Sequence, residues 1–148
     1  MKVSAKSDWN LKQISAFLTS QVIPIRLSVI DGEFPTICSV WYSWDDDQQN
    51  FCCVSHQDSY LVRCLSANPR CAFEVAPNTP PYQGVRGKAL VTLQHHQGEA
   101  NLRQLLDRYL GDSNKGLRQW LLGRANEECL LLIRPTWLTA WDYASRMD

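Results

Sequence analysis

The chain has 148 residues, 45% of them hydrophobic and 20% charged, which fits one globular domain. Its fifteen basic and fifteen acidic side chains cancel, so there is no net field to recruit nucleic acid or an acidic membrane surface. No apolar run approaches the ~20 residues of a membrane-crossing helix, and the polar start MKVSAKSDWN carries no signal-peptide pattern, so a cytoplasmic protein is expected.

Asp8 to Ser20 has the helical period. Leu11, Ile14, Phe17 and Leu18 share a face, and Ser7 or Asp8 can cap it. Pro24 to Ile30 alternates, with Ile25, Leu27 and Val29 on one face and Arg26 and Ser28 on the other. Asp31-Gly32 is a hairpin turn, because the pair tolerates positive φ. Phe34 to Trp44 is the returning strand, dense in the β-formers Ile37, Val40, Trp41 and Tyr42. Asp45-Asp46-Asp47 opens the next turn. No further carboxylate follows at EF-hand spacing, so a solvated hairpin tip is expected rather than a cation site. Asn50 to Val54 is a third strand.

Val54 to Ala76, VSHQDSYLVRCLSANPRCAFEVA, is the stretch around which the rest is organised. It runs strand end, small polar turn, short helix, Asn-Pro stop and strand. Asp58 or Ser59 can cap the helix, and Leu61, Cys64 and Leu65 form its apolar face. Asn68-Pro69 ends it, since proline disfavours the helical conformation in the residue before it. A strand that delivers the hydroxyls of Ser55 and Ser59 to a helix start can bind an anion, although capping alone needs the same residues. His56 in this turn reads as a solvated loop histidine.

Pro77 to Pro81 is a loop, and Gln83 to Leu93 a long strand in which Gly84 and Gly87 mark a bulge or a close approach. His95 and His96 read as a solvent-exposed turn. Glu99 to Leu110 is an amphipathic helix and Leu117 to Leu122 a short one ended by Gly123. Glu128 to Trp141 is the last strand. Its apolar run from Cys129 to Ile133 suits burial on both faces, and Arg134-Pro135 bends or bulges it. The six cysteines lie inside these elements without a Cys-x-x-Cys pair or a metal-ligand spacing, so they read as reduced, buried small hydrophobes. Six strands and about three helices without strand–helix alternation predict a mainly β protein, an antiparallel barrel or sandwich with appended helices.

The strings IPIRLSVIDGEFPTICSVWYSWDDD, FCCVSHQDSYLVRCLSANPRCAFEV, PPYQGVRGKALVTL and RPTWLTAWDY, spanning Ile23 to Tyr143, resemble the pyridoxamine 5'-phosphate oxidase-like family of FMN-binding split barrels. The resemblance implies one domain over residues 1–148: a six-stranded antiparallel split β-barrel of Greek-key type, with a lead-in helix before residue 23 and a helical insertion at 99–123. It implies a homodimer with FMN at the interface and an oxidoreductase activity on a small molecule. It carries the flavin site onto Val54, Ser55, Ser59, Tyr60 and Leu61 around the phosphate, onto Trp41 beside the ring, with Tyr42 on the same strand, and onto Trp141, contributed across the dimer. Tyr60 and Leu61 stand where the family often has an arginine and a lysine.

Losing two charge-assisted hydrogen bonds of ~1.5–3 kcal/mol each weakens phosphate binding by about two to four orders of magnitude. Arg26, Arg63, Arg70, Arg86 and Lys88 are the candidate replacements. On this reading Leu61→Lys tightens FMN. The alternative is a dimeric binding module that has lost FMN or takes another flat ligand, haem or a deazaflavin. No catalytic acid or base and no metal ligand can be nominated.

Overall fold

The computed structural model describes residues 1–147; Asp148, the last residue of the expected domain, lies outside them. Among the described residues the strands are β1 Lys2–Val3, β2 Ile25–Asp31, β3 Phe34–Val40, β4 Tyr42–Asp45, β5 Asn50–His56, β6 Arg70–Val75, β7 Gln83–Gln94 and β8 Glu128–Asp142. The helices are α1 Leu11–Ser20, α2 Tyr60–Ala67, α3 Glu99–Leu110 and α4 Lys115–Leu122, with 3-10 turns at Ala125–Glu127 and Ala144–Arg146. One sheet runs β3-β2-β6-β7-β8-β5-β4 with antiparallel neighbours, and β1 adds to β8 in parallel.

The six expected strands become eight for two reasons. Lys2–Val3 pairs with Trp137 and Leu138, an edge contact too short to carry a periodic signal. The expected strand Phe34 to Trp44 is divided at Trp41: β3 pairs with β2, and β4 pairs with β5. The two halves therefore lie at opposite ends of the sheet path. The chain turning through Trp41 joins the sheet's two edges, where no strand ladder does. That break is the split in the barrel.

Alternation explains which side is core. Ile25, Leu27 and Val29 point inward from β2, and Cys71, Phe73 and Val75 from β6. Phe51 is the centre of an aromatic cluster, with ring centroids 5.4 Å from Tyr42, 4.8 Å from Trp44 and 4.9 Å from Phe73. Helix α2 adds Leu61, Val62, Cys64 and Leu65 to the same core, and α1 adds Ile14, Phe17 and Leu18. A second, smaller cluster forms outside the barrel, where Leu102 and Leu106 of α3 meet Ala125, Trp41 and Val54. This cover explains why Cys129 to Leu131 are buried consecutively: α3 packs on the face of β8 and β5 that the barrel does not use.

Several local signals resolve differently from expectation. Asn10 caps α1, in a capping box with Gln13. Ser7 and Asp8 instead receive the Ala140 and Asp142 N–H groups and tie the lead-in to β8. The hairpin turn is centred on Gly32-Glu33, one residue later than the Asp-Gly reading, with positive φ (59°) at Gly32, the first central position. Gly at that position is the demand of a type II′ turn. The irregularity in the β7–β8 ladder leaves Thr136 as the extra residue between the pairs Lys88–Trp137 and Ala89–Pro135. The prolyl nitrogen of Pro135 has no proton to donate, which is why the ladder slips there. Among the three aspartates, Asp45 caps the turn through Gln48 N–H at 2.9 Å. Asp46 accepts from Ser15 Oγ, which itself accepts from Trp44 Nε1 at 2.8 Å.

Candidate functional site

The cleft at the split has two open strand edges. β5 pairs with β4 only over Asn50–Cys53, so Val54, Ser55 and His56 have no strand on that side. β3 pairs with β2 and leaves its other edge unpaired at Ser39 and Val40. Between these edges lies a cleft of about 540 Å³, lined by Trp41, Val54, Ser55, Ser59, Arg124 and Glu128 among others. That volume is in the range of small-molecule sites. Leu102 and Leu105 of α3 and Leu121 of α4 form its apolar wall.

The serine corner is built by the start of α2. Ser59 caps the helix by accepting Val62 N–H at 3.2 Å, and Ser55 Oγ donates to Ser59 Oγ at 2.8 Å. Both hydroxyls and the first N–H groups of an eight-residue helix thus converge on one side of the cleft. Below them, His56 Nδ1 accepts Asp58 N–H at 3.1 Å, and His56 Nε2 lies 2.8 Å from Glu127 Oε2. A ring nitrogen that accepts carries no proton, so Nε2 is the protonated one and donates to Glu127. The histidine is held in one tautomer on the cleft rim.

The charged pair sits opposite. Arg124 Nε is 3.3 Å from Glu128 Oε1, and the guanidinium lies 4.2 Å from the centroid of the Trp120 ring. The pair is at ion-pair distance, but the N–H is not directed at the oxygen, and neither atom makes a hydrogen bond. Glu128 is only 2% exposed. Burial pushes its carboxyl above the usual glutamate range, against the pull of Arg124 in the other direction.

Trp41 lines the cleft but shows it one face only. Its other face stacks on Tyr109 of α3, with centroids 5.0 Å apart and planes 11° apart.

No family model matches the sequence, and no curated protein does. Solved structures match it across most of its length at low identity. A conserved hypothetical protein from Mycobacterium tuberculosis has a TM-score of 0.77 at 18% identity, covering 100% of this chain and 94% of its own. An F420 reductase has a TM-score of 0.67 at 20% identity, over 83% of this chain and 94% of its own. A Listeria innocua protein assigned as a pyridoxamine 5'-phosphate oxidase has a TM-score of 0.64 at 12% identity, over 91% of this chain and 99% of its own. The fold is the pyridoxamine 5'-phosphate oxidase-like split barrel.

The split barrel brings four of the seven expected site residues, Trp41, Val54, Ser55 and Ser59, to one cleft. The other three do not line it within the single chain, and Trp141 is the one expected from across a dimer. Tyr60 points toward the β2–β3 turn and donates its hydroxyl to Asp31 at 2.6 Å. Leu61 is 4% exposed and packs in the barrel core. Trp141 lies at the far end of β8, over Gly84 and 5.4 Å from the Arg86 guanidinium. Tyr42, next to Trp41, faces the opposite way, fully buried, and donates its hydroxyl to Leu18 O at 2.9 Å.

The candidate cations are also elsewhere. Arg26 is held by Glu74 and Asn78, Arg70 and Lys88 border a groove on the outer sheet face, and Arg63 bonds Asp58 O. Arg124 is the cation that the split barrel places in the cleft, and the sequence reading did not name it. Its only local signal was Trp120, four residues before it at helical spacing.

Proposed function

We propose that the cleft between β3 and β5 holds a flat, phosphate-bearing cofactor of flavin type, FMN first, and that the protein is a homodimeric, cytoplasmic oxidoreductase that uses it. The observation that carries this reading is that Arg124, Ser55 and Ser59 line the same cleft as Trp41. A guanidinium, two hydroxyls and a helix start fit a phosphate monoester, and an apolar wall beside an indole fits a conjugated ring. FMN in such a site supplies the electron transfer. The chain supplies the anchor, the ring surface and, through α3 and α4, the exclusion of water from one side. The open backbone edges at Val54–His56 and Ser39–Val40 offer N–H and C=O groups to a ring's polar atoms.

The homodimer is supported by the outer face of the sheet. Register places Ile37 opposite Ser28, Pro35 opposite Ile30, and Leu90 opposite Arg70 on that face. Ile37 is 71% exposed and Leu90 47% exposed, in a sheet whose inner face is otherwise fully packed.

A second reading, a binding module without FMN or with haem or a deazaflavin, draws on a different observation. Asp58 and Glu128 line the cleft with the serines, and their charge opposes that of a phosphate. A visible spectrum of the purified protein, followed by fluorescence titration with FMN, separates the two. FMN quenching on addition, lost about 10- to 100-fold in affinity by Arg124→Gln while riboflavin is unaffected, is the expected result. A colourless protein that quenches no FMN, or a haem-type band, overturns the flavin reading.

A further inference from the structure

Arg124 has two claimants. As folded, its Nε lies 3.3 Å from Glu128, and Trp120 stacks on its guanidinium. The same guanidinium borders the cleft that Ser55 and Ser59 enter. Glu128 is 2% exposed, so little water reaches its carboxylate, and Arg124 is its nearest cation. The other charged groups around it do not replace Arg124. Glu127 is the preceding residue and acidic, and Asp58 lines the same cleft. His56 is engaged by Asp58 N–H and Glu127. Glu99, at the start of α3, is paired with Arg103. Gly98 packs against the Cβ and backbone of Glu128, and its N–H donates to Glu128 O at 3.1 Å, which fixes the residue's backbone at the cleft.

We propose that Glu128 is a built-in competitor of an anionic ligand: it holds Arg124 in the ligand-free protein and has to release it when a phosphate takes the Ser55–Ser59 corner. The proposal rests on the reading that this corner receives the ligand's phosphate. A guanidinium turned toward a phosphate leaves a buried carboxylate unpaired, which costs free energy whether the carboxylate stays ionised or takes up a proton. A neutral ligand asks nothing of Arg124 and bears no such penalty. Glu128 therefore sets how strongly the cleft prefers a phosphorylated ring over the same ring without phosphate.

The test compares wild type with Glu128→Gln, an isosteric neutral change, at pH 8. The probes are FMN, riboflavin and inorganic phosphate. FMN is expected to bind Glu128→Gln about tenfold more tightly, with riboflavin unchanged. Inorganic phosphate is expected to raise the melting temperature of Glu128→Gln more than that of wild type. In an Arg124→Gln background the gain from Glu128→Gln shrinks, because the shared cation is gone.

FMN affinity in Glu128→Gln equal to or below wild type overturns the proposal. So does a gain undiminished in the Arg124→Gln background, which assigns the effect to direct repulsion. If neither protein binds FMN, the flavin reading fails on its own, and the phosphate arm decides: a larger shift in Glu128→Gln upholds the competition, and equal shifts overturn it. Should Glu128→Gln not fold, Glu128→Met, a neutral change of similar length, carries the same comparison: tighter FMN binding than wild type upholds the competition, and equal or weaker binding overturns it.

Discussion

Leu61 is the second residue of α2, and its side chain is 4% exposed inside the barrel. A lysine there lies among Leu65, Val62 and the strands that α2 covers, and the position does not line the cleft. The expectation that Leu61→Lys tightens FMN therefore reverses. Burying an ammonium without a partner costs several kcal/mol, so Leu61→Lys is expected to lower the urea midpoint sharply and gain no FMN affinity. Glu128 gives a pH signature. Its folded carboxyl is raised above the usual value of 4.5, chiefly by burial. A raised group contributes stability that is full below its unfolded value and is lost as pH rises through its folded value. Wild type is thus expected to lose stability relative to Glu128→Gln as pH climbs from about 4.5, measured by urea unfolding of both proteins at acid and alkaline pH. Ser55 and Ser59 were readable in the sequence because a cap and its helix start lie within a few residues. Arg124 was not, because nothing near it in the chain signals a serine pair at the end of β5 and the start of α2.

At the level of elements, the close packing of β6, β7 and β8 depends on Gly87. A Cβ there would collide with the Trp137 carbonyl oxygen and stand 2.7 Å from the Phe73 ring. Both obstacles are fixed, one by the β7–β8 ladder beside the Thr136 bulge and one by the aromatic core. Gly87→Ala is expected to destabilise by about 1–3 kcal/mol or more, read as a fall in melting temperature, whereas Gly116→Ala in α4, which meets nothing, is expected to stabilise by up to about 1 kcal/mol. The glycine signal in this strand was legible as a close approach, and the approaching group was not. The same holds for Phe34 to Trp44. Its composition is that of one strand throughout, and no residue in it announces that Trp41 belongs to neither ladder.

For the whole molecule, the unpaired outer face is the feature with the largest consequence. A homodimer through this face predicts a mass in light scattering of twice the 17.0 kDa chain. Ile37→Asp is expected to shift the protein toward monomer without unfolding it, since the side chain is 71% exposed in the single chain. A monomeric wild type, or a dimer indifferent to Ile37→Asp, counts against that face. The cysteines give a separate check on packing. All six are free, and five are buried. Burial raises the Cys53 thiol well above its ordinary value and pushes Cys71 up to about 12. Cys38 is the one that is not fully buried, though burial and Cys64 raise its thiol too, so in the native protein it alone is expected to react, slowly, with a thiol reagent at neutral pH, against six after unfolding.

Sequence by itself determined the parts whose cause is local. The two-residue period gave β2 its inner face, the helical period gave α2 and α3 theirs, Ser59 started α2 and Asn68-Pro69 stopped it. Tertiary structure alone decided where the sheet opens and what lines the opening. The β5–β8 register sets His56 opposite Glu128 and so carries the Arg124–Glu128 pair to the serine corner. Register is chosen when two apolar faces meet across the core, and no short window of residues contains both of them.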